Sequence, residues 1–498
     1  MTTAAVIGSG FGGLALAIRL QSAGIQTTLI EARDKPGGRA YVFEDDGFKF
    51  DAGPTVITDP TCLEELFELS GRKLSDYVEL INVTPFYRLL WEDGSVFDYS
   101  NDEEALFKQI EAFNPKDVAG YRKFLEFSDN VFREGYQKLG HEAFLDFKSM
   151  LKAAPQLMRY EAFRSVYAMV ARHIEDDRLR QAFSFHTLLV GGNPFKTSSV
   201  YALIHALEKK WGVWFPRGGT HALVRGMVKL FEDLGGTTRI GSKVEAIMAD
   251  SGRVTGVRCA DGWSGRFDAV VSNGDVVNTY KDLLGAHPRG AEMAGKMMRR
   301  SFSPSLFVTY FGLKGERPDV KHHTILFGHR YKGLLDEIYK GGDKLAEDFS
   351  LYLHHPTATD PAMAPPGHSA FYVLSPVPHL GKLDIDWEKE APRYADSILD
   401  SLERRCIPNL RRDLVTMRTW TPKDFQTTLF AHQGSAFSLE PVLWQSAYFR
   451  THNRDDVLTN LYFVGAGTHP GAGIPGVVGS AKATGKLMIE DLLAKKAA

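Results

Sequence analysis

The sequence predicts an α/β protein in which both ends of the chain contribute to one dinucleotide-binding domain of Rossmann type. Two observations predict that domain: an apolar run followed by a glycine-rich turn at the N-terminus, and a similar pair near the C-terminus. A third observation, a set of strand patterns between these ends, predicts an additional antiparallel sheet. The length of 498 residues, of which 44% are hydrophobic and 24% charged, is sufficient for several globular domains.

Charge and cysteine content exclude several classes of protein. Lys and Arg number 59 against 61 Asp and Glu, and this balance gives no basis for a nucleic-acid partner. The three cysteines, Cys62, Cys259 and Cys406, are far apart in the sequence, which argues against a disulfide framework and a zinc site. We therefore expect no metal and a cytoplasmic location. Glycines or prolines interrupt the uncharged stretches 1–18 and 460–481, so we expect neither a signal peptide nor a membrane-spanning helix.

The first element is a buried strand over residues 4–7, which runs into a turn of sequence Gly8-Ser9-Gly10-Phe11-Gly12-Gly13. A helix follows, and a second strand over residues 27–30 ends in Glu31. Strand, G-x-G-x-x-G turn, helix, strand and terminal acid in this order are typical of a dinucleotide-binding unit. A lone glycine motif is equally compatible with an ordinary loop, but the five features together favour the dinucleotide.

Each residue of this unit has a physical role. Gly8 permits the tight turn, Gly10 lets the backbone approach a pyrophosphate, and Gly13 lets the helix pack on the strand. Gly12 belongs to the same turn and is a further candidate. The helix N-terminus offers free N–H groups to the phosphates, and Glu31 is placed to hold a ribose hydroxyl.

The middle of the chain alternates between strand and helix patterns. Residues 86–99 predict a hairpin that turns at Asp93-Gly94, residues 102–210 are mainly helical, and residues 211–219 form an aromatic-rich loop. A helix and a small strand meander follow, which is predicted to return to a buried strand at 269–273. Further strand candidates, expected to join the hairpin in one antiparallel sheet, are residues 305–313, 349–355 and 370–377.

One helical stretch, residues 141–176, combines apolar and basic residues. The apolar positions with helical spacing are Phe144, Phe147, Leu151, Ala154 and Met158, and Pro155 is expected to end that helix before a second one carrying Phe163, Val166, Tyr167 and Val170. The charged residues between Phe147 and Arg172 are the bases Lys148, Lys152, Arg159, Arg164 and Arg172 and the acid Glu161. Periodicity alone fits either core helices with solvated charges or a surface that docks on an anionic membrane.

The C-terminal element is a buried strand at 461–464 that enters a turn containing Gly467. A segment with Gly473, Ile474 and Pro475 then leads into the final helix. Its N-terminus can serve a cofactor, or the glycines can form a structural loop. Paired with the N-terminal motif, the cofactor interpretation is favoured, which makes the domain discontinuous.

Four segments resemble one known family. They are RDKPGGRAYVFEDDGFKFDAGPTVITDP (33–60), SFHTLLVGGNPF (184–195), WGVWFPRGGT (211–220) and LYFVGAGTHPGAGIPGVVGSAKAT (461–484). Together they are similar to the bacterial-type phytoene desaturases, within the FAD-dependent superfamily of amine oxidases and protoporphyrinogen oxidases. The resemblance extends over essentially the whole chain.

The resemblance implies FAD as the cofactor. It places Gly38 and Arg39 over the FAD pyrophosphate, Gly53 and Pro54 near the flavin, and the backbone of Val244 at the adenine. For Arg39 the alternative is a surface salt bridge. The domain ranges that follow are 1–85, 211–285 and 455–498 for FAD, 86–140 and 286–454 for a substrate domain, and 141–210 for a helical, membrane-docking region.

The activity that the resemblance implies is stepwise desaturation of phytoene through phytofluene, zeta-carotene and neurosporene to all-trans-lycopene. The alternative is a related carotenoid desaturase or oxidase with another product, neurosporene or a later carotenoid. Quinone or oxygen would accept the electrons. No motif identifies a catalytic base, and for His186, His221 and His469 a structural role is favoured, so the catalytic residues stay open.

Substrate insolubility favours the membrane interpretation. A forty-carbon hydrocarbon costs about 30 kcal/mol to hold in water, at about 0.8 kcal/mol per carbon group. The substrate would therefore come from the bilayer, and the protein would be peripherally attached to the cell membrane through residues 141–176. Two rivals remain: an FAD oxidoreductase acting on a polar substrate such as an amine, and a non-enzymatic escort that binds prenyl groups.

Overall fold

Two large β-sheets organise the chain in the computed structural model, which describes residues 1–138, 140 and 142–493. The strands, in chain order, are β1 Thr3–Ile7, β2 Gln26–Ile30, β3 Val42–Asp45, β4 Phe48–Asp51, β5 Leu80–Val83, β6 Tyr87–Leu90, β7 Val96–Tyr99, β8 Val213–Pro216, β9 Thr237–Arg239, β10 Val244–Asp250, β11 Arg253–Cys259, β12 Ser264–Arg266, β13 Ala269–Ser272, β14 Ser305–Lys314, β15 His323–Leu326, β16 Leu351–His354, β17 His368–Val377, β18 Leu414–Trp420 and β19 Leu461–Phe463.

The α-helices surround these sheets. They are α1 Phe11–Ser22, α2 Thr61–Glu68, α3 Glu103–Phe113, α4 Asp117–Val131, α5 Phe147–Arg159, α6 Val166–Ala171, α7 Asp177–Ser184, α8 Leu203–Trp211, α9 Thr220–Asp233, α10 Val276–Asn278, α11 Pro288–Met297, α12 Tyr331–Lys340, α13 Trp387–Arg405, α14 Pro422–Thr428 and α15 Ile474–Leu493. Residues 139, 141 and 494–498, at the edges of the predicted ranges 86–140, 141–210 and 455–498, lie outside the described residues.

The first sheet is parallel throughout, with the strand order β19-β13-β1-β2-β9. Side chains alternate along β1, so Ala4 and Val6 pack against α1, α9 and α15, while Ala5 and Ile7 pack on the strand meander β10-β11-β12. Burial on both faces explains why these strands are short apolar runs. The predicted meander and its return to a buried strand at 269–273 are confirmed.

The second sheet has seven strands in the order β18-β14-β17-β16-β15-β6-β7. The predicted hairpin is present as β6 and β7, and the three predicted strand candidates are β14, β16 and β17. The expectation of a purely antiparallel sheet is wrong, because β15 pairs with β6 in parallel. The strands β15 and β18 also lie outside the predicted set. The sheet is mixed because a long chain segment separates its hairpin from its other strands, so either pairing direction is sterically open.

Two local predictions need correction. Residues 211–219 are not simply a loop, because β8 pairs antiparallel with β5. The helix α5 continues through Pro155 and ends at Arg159. The break comes at Glu161, whose backbone adopts a left-handed conformation with φ of 48°, and α6 then begins with the Ser165 hydroxyl as its N-cap.

The two faces of the second sheet are covered differently. One face packs on the long helix α13 through an apolar cluster around Trp387 and Phe307. The other face, with Tyr310, Tyr352 and Tyr372, looks towards α3, α4, α6 and α7 and towards the N-terminal segment that follows β4. This second face forms part of the wall of the site. Within the described residues, no helix combines the length and apolarity needed to cross a bilayer.

Candidate active site

A large cavity, here called the central cavity, runs from the carboxyl ends of the parallel strands to the seven-stranded sheet. Its volume is about 820 Å³. The predicted cofactor residues that line it are Gly8, Gly10, Gly12, Glu31, Gly38, Arg39, Gly53, Pro54, Val244, Gly473, Ile474 and Pro475. These residues come from distant parts of the sequence, and the fold brings them to one place, at the edge where an α/β sheet binds its ligands.

Two predicted residues, Gly13 and Gly467, do not line the central cavity. A Cβ atom on Gly13 would lie 2.0 Å from the carbonyl oxygen of Gly8, and one on Gly467 would lie 2.6 Å from Cγ1 of Val276. Both glycines therefore allow close packing behind the cavity. This is the role expected for Gly13, whereas Gly467 was expected to contact the cofactor.

The glycine turn after β1 presents backbone to the cavity. Gly8 has a φ of 92°, in the left-handed region that favours glycine, and Gly10 caps α1 without a side chain. A Cβ on Gly12 would meet Oδ1 of Asn273 at 2.7 Å and Cα of Gly465 at 3.0 Å, so the turn packs closely on the segments that follow β13 and β19. Because Gly10 and Gly12 carry no side chains, the first N–H groups of α1 stay open to the cavity, which suits a diphosphate.

Glu31 is buried at the end of β2, and its carboxylate holds the glycine turn in place. Oε2 accepts hydrogen bonds from the backbone N–H of Ser9 at 2.9 Å and from the Ser9 hydroxyl at 2.5 Å, while Oε1 accepts from the N–H of Arg33 at 2.9 Å. Each carboxylate oxygen has two lone pairs, so it can also accept from a ribose hydroxyl in the cavity. Glu31 therefore shapes the turn as well as facing a ligand.

Arg39 lines the cavity with a guanidinium that is short of partners. Nη2 donates to the carbonyl oxygen of Ser435 at 3.4 Å, and Nε is buried without a hydrogen-bond partner. Burial lowers the pKa of Arg39, and the nearby Asp275 opposes that change. Among the described residues it forms no salt bridge, so the surface ion pair considered as its alternative is absent. An unpaired buried cation at this position fits the pyrophosphate of a dinucleotide.

Asn273 and Asp275, which directly follow β13, also line the cavity and were not predicted as site residues. The amide of Asn273 donates to the carbonyl oxygen of Gly8 at 3.3 Å, and the Asp275 carboxylate caps α10 through one oxygen and leaves the other buried without a partner. Burial raises the pKa of Asp275. The sequence could have indicated both residues, because they follow a predicted buried strand and the carboxyl ends of parallel strands share one edge of the sheet.

Beyond the nucleotide end the cavity becomes apolar. The seven-stranded sheet contributes Leu306, Val308 and Leu374, and the helical region contributes Phe185, Leu188, Leu189, Leu203 and Leu207. Phe144, together with Met150 and Leu157 of α5, also lines it. Polar groups such as Glu208 and Tyr339 are present here but are outnumbered by apolar side chains, and such a lining suits a long hydrocarbon ligand.

The three histidines considered as catalytic candidates in the sequence each contact another protein group. His186 lies 2.9 Å from the Glu208 carboxylate, and Nδ1 of His221 lies 3.3 Å from the carbonyl oxygen of Ala40. His469 lines the cavity and packs edge-on against Phe144.

Comparison with known proteins agrees with this geometry. Residues 11–489 match the family described as flavin containing amine oxidoreductase, and the chain belongs to that family. It is 63% identical to a phytoene desaturase (lycopene-forming) of Pseudescherichia vulneris, over 99% of this chain and 100% of that protein, and 60% identical to one of Pantoea ananas with the same coverage. An oxidoreductase structure from Methanosarcina mazei, at 16% identity, shares the fold with a TM-score of 0.68 over 97% of this chain and all of that one. FAD is therefore the cofactor.

Proposed function

We propose that this member of the flavin containing amine oxidoreductase family is an FAD-dependent phytoene desaturase that works stepwise, through phytofluene, zeta-carotene and neurosporene, to all-trans-lycopene. The observation that carries the proposal is the single cavity that joins the residues expected to hold FAD to a long apolar compartment. The two relatives named above as lycopene-forming favour this substrate and product. The predominance of apolar side chains in this compartment does not favour the rival polar substrate, because a free amine would lose much of its hydration there.

The chain's own residues divide the work of holding FAD. The turn Gly8–Gly13 and Arg39 bind the pyrophosphate, Glu31 holds the ribose, and the backbone of Val244 meets the adenine. Gly53, Pro54 and the segment Gly473–Pro475 lie against the flavin. When bound, FAD supplies the two-electron acceptor that desaturation requires and that no amino-acid side chain provides.

The apolar compartment positions the substrate and excludes water. Branched and aromatic side chains such as Leu188, Phe185 and Leu374 line it, so an extended polyene is held by shape and dispersion rather than by hydrogen bonds. Loss of hydride leaves cationic character on the hydrocarbon chain. A dry lining protects that carbon from attack by water until the neighbouring proton leaves.

The helix α5 is proposed to dock on the membrane, and its two faces support this. Met150 and Leu157 line the cavity, whereas Phe147, Leu151 and Met158 are 51%, 56% and 66% exposed. These three side chains, with the exposed bases Lys148, Lys152 and Arg159 of the same helix, are here called the docking surface. One helix thus carries an apolar outer face, a basic rim and part of the cavity wall, as a route from an anionic bilayer into the cavity requires.

The docking surface is narrower than the stretch 141–176 suggested by the sequence. Phe144 is buried, and Val166 and Val170 of the second helix belong to the core. Glu161 forms salt bridges with both Arg164 and Arg172, so those two bases are partly neutralised. A neighbouring segment adds apolar area, because Trp444 is exposed and Tyr448 packs edge-on against Phe147.

Electron transfer to a quinone or to oxygen completes the proposed cycle. A quinone is itself lipid-soluble and would use the same route through α5 as the substrate. The proposed cycle is consistent with an enzyme attached peripherally to the cytoplasmic face of the cell membrane. Phytoene and its partly desaturated products would then exchange between bilayer and cavity without crossing water.

The experiment is production in cells that accumulate phytoene, followed by extraction and chromatography of the pigments. We expect lycopene in these cells and none in cells with an empty vector. Neurosporene or a later carotenoid as the end product would replace the product assignment. Colourless cells combined with oxidation of amines by the purified protein would favour the amine oxidase rival, and colourless cells with a flavin-free protein would favour the escort.

A further inference from the structure

A chain of hydrogen bonds leads from the central cavity into the second sheet. The hydroxyl of Tyr372 lies 2.7 Å from that of Thr55, which lies 2.9 Å from the hydroxyl of Tyr352. The hydroxyl of Tyr352 in turn lies 2.7 Å from Nδ1 of His323. Tyr372, Thr55 and Tyr352 line the cavity, and His323 lies behind them, fully buried. We call these four residues the hydroxyl–imidazole chain.

The chain begins beside the cofactor segment. The Tyr372 hydroxyl also donates to the carbonyl oxygen of Gly53, at 3.1 Å, and Gly53 is among the residues proposed to lie against the flavin. Its cavity end therefore lies beside the segment proposed to hold the flavin. A hydrocarbon bound against that flavin would have a hydroxyl near the proton it loses.

The far end of the chain is a buried cluster of polar groups with unused capacity. Nε2 of His323 and both ring nitrogens of His354 are buried without hydrogen-bond partners, as is Oδ2 of Asp51, which lies 3.8 Å from Nε2 of His354. His322 completes the cluster, and each of the three imidazoles has a ring nitrogen that lies within 4.8 Å of a ring nitrogen of the other two. Buried polar groups without partners are costly, so such a concentration calls for a function.

We propose that the hydroxyl–imidazole chain accepts the proton that the substrate loses in each desaturation. This inference rests on the proposed function, because it needs the substrate to be oxidised by loss of hydride to bound FAD, the two-electron acceptor. The neighbouring C–H bond then breaks, and its electron pair completes the carbon–carbon double bond. The released proton binds Oη of Tyr372 as the hydroxyl hydrogen of Tyr372 turns from the Gly53 carbonyl to Thr55. One proton then moves at each step, from Tyr372 to Thr55, from Thr55 to Tyr352 and from Tyr352 to Nδ1 of His323.

The state of each group suits this direction of transfer. Burial raises the pKa of Tyr352 and Tyr372, so both hydroxyls stay protonated and act as carriers rather than as bases. Burial and the neighbouring His354 lower the pKa of His323, so its imidazole is neutral and a weak base, with Nδ1 placed 2.7 Å from the Tyr352 hydroxyl. A proton next to a carbocation is strongly acidic, so even a weak base can take it. Asp51, whose pKa burial raises to about 7, can still ionise to stabilise the imidazolium cluster.

Variants of the FAD-loaded enzyme can distinguish proton transfer through the hydroxyl–imidazole chain from a purely structural role of its side chains. The measurement is the anaerobic rate of flavin bleaching in a single turnover with phytoene liposomes, in H₂O and in D₂O. We expect Tyr352→Phe, Thr55→Val and His323→Gln each to slow the reaction about 100-fold, the usual scale of a lost acid–base catalyst. His323→Gln keeps a hydrogen-bond acceptor but cannot hold a proton. Thr55→Ser restores the hydroxyl and should restore the rate and the solvent isotope effect.

The matched control is Tyr394→Phe. Tyr394 of α13 is buried against the opposite face of the same sheet, and its hydroxyl lies 2.9 Å from that of Ser375, outside the hydroxyl–imidazole chain. It should keep the parental rate. Rates within twofold of the parent in Tyr352→Phe and Thr55→Val, or the same loss in Tyr394→Phe, would overturn the proposal. One tightly bound divalent metal per chain, lost in His354→Gln, would also overturn it, because a metal would occupy the imidazoles. Failure of the parent enzyme to bleach with phytoene would instead refute the proposed function.

Discussion

The two ends of the central cavity are built on different physical principles. At the nucleotide end, Gly8, Gly12 and the buried carboxylate of Glu31 are fixed by backbone contacts and short hydrogen bonds. At the end proposed to face the membrane, the docking surface consists of exposed side chains on the single helix α5. We infer that changes of the glycines at the first end act through geometry and are nearly all-or-none. Changes at the second end should add up gradually and respond to salt.

The largest effect is expected at the nucleotide end. Gly10→Val should abolish FAD binding, because the side chain would fill the space proposed for the pyrophosphate, and even a Cβ there lies only 3.0 Å from Nδ2 of Asn273. The measurement is the flavin absorbance of the purified protein. Gly295→Ala in α11 is the control, since nothing lies within 4 Å of its Cβ position. A Gly10→Val protein with one FAD per chain would remove the turn from the site.

Charge reversal tests the other end. Replacing Lys148, Lys152 and Arg159 by Glu should cost about 3 kcal/mol or more of affinity for anionic liposomes, at about 1 kcal/mol per base. Flavin absorbance should not change, because no residue near the cofactor is altered. Liposome flotation measures the affinity.

A control with the same change of charge uses the exposed lysines Lys314, Lys389 and Lys423, which lie on other elements. This variant should float as the parent does. If the α5 variant, folded and loaded with flavin, also floats like the parent, the membrane contact must be sought on another face.

A smaller effect is expected for Glu31. Glu31→Ala should weaken FAD binding by about 1.5–3 kcal/mol, the scale of a hydrogen bond to a charged group. Part of that loss comes from the turn itself, because the carboxylate also accepts two hydrogen bonds from Ser9. Calorimetric titration of the apoprotein with FAD measures the change, and an affinity equal to that of the parent would show that neither contact of Glu31 contributes to FAD binding.

The smallest effect concerns ionic strength. Raising salt should reduce liposome binding partially, since the attraction of a charged leaflet decays over a Debye length of about 8–10 Å. FAD retention should hardly change, because Arg39 and Glu31 are shielded from solvent. If salt strips the flavin and leaves liposome binding intact, the assignment of the two ends is reversed.

The two ends also differ in how far the sequence alone predicts them. The tight turn requires glycine at Gly8 and Gly10, and the ribose requires an acid at Glu31. These residue types recur at fixed spacing, so the sequence alone predicted the motif. The sequence predicted α5 from its amphipathic pattern, but periodicity does not show which face meets solvent. The predicted helix end at Pro155 was wrong, and no residue type in the sequence indicates the left-handed backbone at Glu161 that follows the true end.

Long-range pairing was the least predictable feature. The parallel contact of β15 with β6 joins segments far apart in the chain, and no local pattern encodes its direction. The hydroxyl–imidazole chain has the same origin, because Thr55 and Tyr352 meet only after the second sheet has formed. Asn273 and Asp275 were predictable in part, because they follow a predicted strand of the parallel sheet and the carboxyl ends of such strands share one edge.

The central claim is that one cavity connects bound FAD to a hydrocarbon taken from a bilayer. Its most direct test is to mix the anaerobic, FAD-loaded enzyme with liposomes that contain phytoene and to follow the flavin absorbance. We predict bleaching with these liposomes and none with empty liposomes or with putrescine. Flavin that stays oxidised with phytoene, or that bleaches with the amine, would contradict the account.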